Sequence, residues 1–340
     1  MSLSRRTVIA GALAAPAILA GGRSGHAVAP LRLKISHQFP GGTADEGDFR
    51  DRLCRHFASE VEKRTNGALA FDIYPGSSLI KTNAQFSALR KGALDLSLLP
   101  LPYAGGEMAE LNIALMPGLV TNYDQGSAWK TAAVGAELNR LLDEKGVKIL
   151  AWIWQGGGVA SRGAPVVVPA DVKGLKVRGG SREMDLVLKA AGAAVTSLPS
   201  DEIYAAMQTG AIDAALTSST SLISFRLNEL SKSLTTARDR TYWFMLEPLL
   251  MSKAVFDTLS ADQQKVVTAV GTEMEAFGLA GARADDEEVA RIYAKSGAKV
   301  VDMDKAIVDQ WREIARDTAW KDFAGRSPSC ANLLNLATAV

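Results

Sequence analysis

Histidine is scarce in this chain, with three in 340 residues, and cysteine is scarcer, with Cys54 and Cys330 alone. Zinc sites draw mainly on those two residue types. A metal centre would therefore have to be built from unusual ligands, and no metal is expected. The shortage also weakens nucleophile–base schemes, although lysine and carboxylate variants survive it. The hydroxyl run Thr217–Ser221 lies in no G-x-S-x-G elbow. Gly156-Gly157-Gly158 lacks the G-x-G-x-x-G spacing, and no helix with the required acid follows it. There is no Walker A sequence, so no cofactor is expected. An excess of either charge is missing as well, with 38 basic residues against 37 acidic ones.

Long apolar runs are also absent, apart from one at the start. Ser4-Arg5-Arg6-Thr7 leads into an uncharged, Ala-rich stretch from Val8 to Gly22, the layout of an export signal. The paired arginines resemble a twin-arginine signal. Gly25-His26-Ala27 offers small residues for cleavage after Ala27. The run is too short and too rich in Gly and Ala to span some 30 Å of hydrocarbon. Residues 1–27 thus read as a cleaved export segment, which places the remainder in the periplasm. Their loss removes Arg5, Arg6 and Arg23 and no acid. The basic count falls from 38 to 35 against 37 acids, a net charge of −2. That balance argues against a general nucleic-acid binder, which carries a basic excess. An exported chain can form a disulfide; one bridge and two buried free thiols are both open.

The rest reads as alternating elements. Leu31, Leu33 and Ile35 alternate with polar residues in the period of a half-buried strand. Thr43 and Glu46 have capping-box spacing, and Phe49, Leu53, Phe57 and Val61 mark one face of the helix that follows. Leu69–Tyr74 is the next strand. The same logic predicts a helix over 83–91, a strand over 94–99, a helix over 124–145 and a strand over 147–153. A second cycle places strands at 173–178, 194–198 and 212–216, with helices at 182–192 and 200–209 between them. Such alternation means α/β architecture with a largely parallel sheet. Gly92-Ala93-Leu94-Asp95 and Gly210-Ala211-Ile212-Asp213 occupy like places in the two cycles, which points to two lobes of similar design with a ligand cleft between them. Ser260 and Gln263 open a proline-free stretch to about Ala294. One helix of roughly 50 Å and two helices broken at Gly278 or Gly281 both fit it. Helices near 307–322 and 331–337 close the chain.

Four blocks carry a family likeness: Phe57–Gly67 with Ile73–Leu79, Pro169–Arg178, Leu198–Asp213, and Leu259–Gln264. In this order they resemble the solute-binding proteins of tripartite ATP-independent periplasmic (TRAP) transporters, over nearly the whole mature chain. The resemblance implies two α/β lobes of periplasmic-binding-protein type, with a central cleft, hinge segments and a long lobe-spanning helix. We expect the first lobe over 28–153 plus about 243–285, and the second over 154–242 plus about 286–340. It implies a receptor rather than an enzyme, which delivers a small organic anion to the membrane permease subunits. The anion would be a carboxylate, a C4-dicarboxylate by family habit, or a sulfonate, and a monomer is the simplest state. A ligand-sensing domain for a signalling partner and a secreted hydrolase are the readings from other classes.

In the family, the arginine ending the Lys-x-Arg block binds the ligand's carboxylate, and here it is Arg178. The residues agree, since Arg178 ends a strand, Gly179-Gly180 follows, and the crevice of an open α/β sheet lies beyond its strands' carboxyl ends. Guanidinium also pairs bidentately with carboxylates. A structural ion pair is the alternative. Arg162 is a second anion-contacting candidate by resemblance. Thr217 stands where several members have asparagine; with Ser218 it either meets the ligand or caps the next helix. Trp243, by family position, and the loop-adjacent Phe39 and Tyr103 are candidate pocket walls, although aromatics are more often core. Gln155 offers an amide.

Overall fold

The structure, a computed structural model, describes residues 29–238 and 240–340. The export segment expected over 1–27 lies outside the described residues. Twelve strands are present among them: β1 Leu31–Ser36, β2 Leu69–Tyr74, β3 Leu96–Leu98, β4 Val147–Ala151, β5 Trp154–Ser161, β6 Lys176–Arg178, β7 Ala194–Val195, β8 Ala214–Ser218, β9 Ser233–Thr235, β10 Trp243–Leu246, β11 Leu249–Ser252 and β12 Lys299–Val301. They form two sheets. The first has the order β2-β1-β3-β11-β4, and the second β12-β9-β5-β8-β6-β7, with β10 also on β5. β1 is parallel to β2 and β3, and β6 is parallel to β7 and β8. The expected two α/β lobes are therefore present.

The chain passes from the first sheet to the second at Trp152–Ile153 and returns at Glu247–Pro248. The two crossings lie side by side, because the Glu247 N–H donates to the Ile153 carbonyl at 2.8 Å. This moves one expected boundary. Trp243–Leu246 pairs with Gly157–Trp154 in the second sheet, so the return falls at 247 rather than at 243. The apolar run on both sides of Glu247 carries no sign of the change of sheet.

The third connection is a single helix, Ala261–Lys295, opened by the Ser260–Gln263 capping box. Its Val267, Val270 and Met274 pack in the core of the first lobe, and Val289 and Tyr293 in that of the second. Gly278 and Gly281 do not break it. They bring Ile153 and Phe49 against the helix, where a Cβ would stand 2.7 Å from either side chain.

Other expectations shift locally. The helix after β1 runs Phe49–Arg64 with Asp48 as N-cap, while Thr43 Oγ1 accepts from the Glu46 N–H in the preceding turn. The stretch 124–145 divides into Tyr123–Trp129 and Ala133–Glu144, because a Cβ at Gly135 would fall on the Trp129 carbonyl where the chain turns back. The terminal helix Pro328–Thr338 packs on Ala133–Glu144, which leads into β4, while Lys305–Ala315 packs on Arg182–Ala190. The C-terminal segment thus touches both lobes. Cys54 and Cys330 are buried free thiols.

Candidate functional site

The parallel strands of both sheets point their carboxyl ends at one another. β1 delivers His37–Phe39 there, β3 leads to Leu101–Ala104, β6 ends in Arg178, and β8 ends in Ser218. Crevices beyond such ends are where open α/β sheets bind ligands. The lobes touch across this crevice. Ser77 and Thr82 donate to Asp201 Oδ2 at 3.0 and 3.2 Å. Tyr103 Oη accepts from Arg178 Nη2 at 2.7 Å and from the Ser200 N–H at 3.0 Å. A cavity of about 340 Å³ opens beside this contact, lined by Asn83, Pro102 and Tyr103 on one side and by Gly180–Arg182 and Ser197–Pro199 on the other.

Arg178 is 1% exposed. Its Nε donates to the Leu198 carbonyl at 3.0 Å and Nη1 to the Leu216 carbonyl at 2.7 Å. All of its acceptors are neutral oxygens. Among the described residues no carboxylate lies within 4.0 Å of it. A guanidinium has five N–H donors, and three hydrogen bonds leave two of them for another acceptor. The charge that answers it is the buried Asp185, which feels Arg178 from beyond ion-pair distance; an anion placed directly on the two remaining donors would offset the cost of burying the cation.

Trp243 stands next to this group. Its Nε1 donates to the Gly179 carbonyl at 2.9 Å, and its ring occupies the space that a Cβ on Gly157 would fill. Gly156, Gly157 and Gly158 are thus a strand cleared for its neighbours rather than a loop. Thr217 is buried opposite Gly158. Trp243, Thr217, Tyr103 and Arg178 come together around the end of β8.

Arg162 does not join them. It is exposed beyond the far end of β5, where Ser161 pairs with Ala214 at the start of β8, and it lines a separate surface crevice with Lys232, Asp171 and Asp213. Its place just after a strand drew attention to it, but β5 runs antiparallel to β8, so its carboxyl end is the opposite edge of the sheet. Ser218 caps the helix Ser219–Ser224.

A second buried arginine was missed. Arg50 is 1% exposed and held by Asp48, with Nε to Oδ1 at 2.9 Å and Nη2 to Oδ2 at 2.7 Å. Its Nη1 donates to Glu247 at 3.3 Å, Ser218 Oγ at 3.3 Å and Ser221 Oγ at 3.1 Å. The guanidinium lies 3.6 Å over the Phe39 ring, which makes Phe39 a platform for Arg50. Gln155 donates to Glu247 and leaves its own Oε1 without a partner among the described residues. Burial lifts the Glu247 carboxyl to about 7, with Arg50 opposing the shift. Asp48 and Glu247 outweigh burial and raise Arg50. The available signal was Glu247 itself, a lone acid within the apolar run Trp243–Met251. Gln38, also missed, is buried beside Phe39 with both amide atoms unpartnered among the described residues.

Comparison with known proteins identifies the family. The family model "DctP: Bacterial extracellular solute-binding protein, family 7" matches residues 42–326. A solute-binding protein of Albidiferax ferrireducens is 66% identical over 305 residues, 90% of each chain. The crystal structure of a TRAP periplasmic solute binding protein from Rhodoferax ferrireducens, with bound malonate, superposes with a TM-score of 0.89 at 65% identity, covering 90% of this chain and 97% of that one. An extracytoplasmic solute receptor of Bordetella pertussis binding pyroglutamic acid shares the fold, with a TM-score of 0.81 at 22% identity over 91% of this chain and all of the other. The chain belongs to family 7 of the bacterial extracellular solute-binding proteins and is a solute receptor of the TRAP transport class.

Proposed function

We propose that this receptor captures a small carboxylate between its lobes through Arg178 and presents it to a TRAP membrane permease from the periplasm, which it reaches by the export signal at 1–27. The observation that carries this reading is a guanidinium 1% exposed whose partners are all neutral oxygens, at the carboxyl end of a parallel strand. The malonate held by a relative of 65% identity supports a small dicarboxylate as the solute. In this reading Trp243 and Tyr103 wall the site, and Thr217 supplies a hydroxyl. Exclusion of water strengthens the ion pair, since Coulomb energy rises as the local dielectric falls.

The test is calorimetric titration of residues 28–340 with malonate and with a panel of organic acids, neutral sugars and amino acids. Removing one partner of a buried, hydrogen-bonded charge pair costs about 2–5 kcal/mol. Arg178→Ala should therefore weaken binding at least about thirtyfold. Arg178→Lys should also bind poorly, because a point charge cannot reproduce the guanidinium fork. Unchanged affinity in Arg178→Ala, or a wild type that binds only neutral solutes, would overturn the assignment.

A further inference from the structure

The two buried arginines come from different lobes and grip the same strand end. Arg178 Nη1 donates to the carbonyl of Leu216 in β8. Two residues on, Ser218 Oγ accepts from Arg50 Nη1, as does Ser221 Oγ one helical turn later. Arg50 belongs to the first lobe, since its helix Phe49–Arg64 places Phe49, Leu53 and Phe57 in that lobe's core. The carboxylates that hold it are Asp48 at the start of its own helix and Glu247 at the return crossing. Asp285 of the long helix adds its field to the group. The guanidinium is thus anchored on the first lobe and on the hinge, and only its serine contacts reach the second lobe.

We infer that Arg50 is a positioning residue for solute binding, tying the end of β8 to the first lobe through Ser218 and Ser221 and so holding the lobes closed around Arg178. This inference rests on the crevice being the solute site. It predicts that the contact governs how long the solute stays, because the Arg50–serine bonds must break when the lobes part. Hydrogen bonds to charged groups are among the stronger ones. Their loss from the closed state alone speeds release without slowing capture.

Arg50→Ala would strand Asp48 and Glu247 and is not the useful variant. Ser221→Ala removes one acceptor of Arg50 and the acceptor of the Ser218 hydroxyl, and leaves the Ser218 cap of the following helix in place. By stopped-flow with malonate as probe, we expect Ser221→Ala to raise the dissociation rate about tenfold. The association rate and the melting temperature of the solute-free protein should stay close to wild type. An unchanged dissociation rate, or the same loss of melting temperature with and without malonate, would mean that the contact is merely structural. A second arm needs no solute. Spin labels at Lys81→Cys and Glu202→Cys, both exposed and flanking the Asp201 contact between the lobes, should report longer distances in Ser221→Ala than in the parent. Identical distance distributions would sink the inference. A wild type that ignores malonate would strike the solute assignment alone, and the distance measurement would still decide this one.

Discussion

Arg178 drew attention in the sequence because three signals coincide on it: a strand end, two following glycines, and a family block. Arg50 carries none of these. It reads as one more basic residue at the start of an amphipathic helix, and its burial depends on Phe39 in the preceding loop and on Glu247 and Ser221, which are remote in sequence. Arg162 is the reverse case, a residue with a plausible local context on the wrong edge of its sheet. The glycine triplet 156–158 shows how such information is lost. Its role is to leave room for groups that arrive much later in the chain, the Trp243 ring at Gly157 and the Thr235 backbone at Gly158. Gly157 tests this at the single-residue level. A methyl group there would displace the Trp243 ring and threaten its bond to the Gly179 carbonyl. Overpacking of this kind typically costs 1–3 kcal/mol. Gly157→Ala should melt lower than wild type and, because Gly179 follows Arg178, should also bind solute more weakly. A Gly157→Ala protein with wild-type melting temperature and affinity would show that the ring has room to move.

Elements with a strong period and clear caps were readable. The long helix is the best example, since the Ser260–Gln263 box marks its start and the absence of proline allows its length. What the pattern could not settle was whether its glycines interrupt it, because propensity disfavours glycine in a helix by about 1 kcal/mol relative to alanine whatever its neighbours are. The structure supplies the neighbours. Gly271 lies against β4, and a Cβ there would stand 2.5 Å from the Leu150 carbonyl oxygen. At an exposed site Gly→Ala would stabilise the helix. Here the obstacle is backbone, which cannot swing aside. Gly271→Ala should therefore lower the melting temperature despite the better propensity, and a rise would mean that the helix can lift away from β4 at little cost. The same dependence on neighbours explains the division of 124–145. Its apolar period runs on across a turn that the Trp129 carbonyl and the missing Cβ of Gly135 create together.

At the scale of the molecule, the sequence supplied the number of lobes and the spanning helix but misplaced the return crossing. Both sides of Glu247 are apolar and strand-forming, so only the pairing partners distinguish the sheets. Buried carboxyls, Glu247 at that crossing among them, give the protein its expected response to pH. Burial lifts Glu247 and Glu183 to about 7, and Asp285 and Asp286 to about 6. The folded protein then retains protons at pH values where the unfolded chain, with carboxyls near 4, has released them. Stability rises with pH only where the unfolded state binds more protons, so these four groups act in the opposite sense. Their contribution is complete below about pH 4 and is lost as pH rises through 6 to 7. Asp322, held by Arg182, and Asp302, whose bonds from Thr236 and Arg238 outweigh its burial, are lowered, and their contribution is lost as pH falls below the usual carboxylate range. The solute-free protein should therefore melt highest in mildly acidic buffer and progressively lower from about pH 5 to pH 8. Glu247→Gln keeps the shape and a hydrogen-bonding oxygen for Arg50 but cannot titrate, so it should flatten that decline. A melting profile in Glu247→Gln as steep as that of wild type would place the titrating group elsewhere. A wild-type profile that rises from pH 5 to pH 8 would mean that these carboxyls are ionised in the folded state, with water or Arg50 compensating their burial.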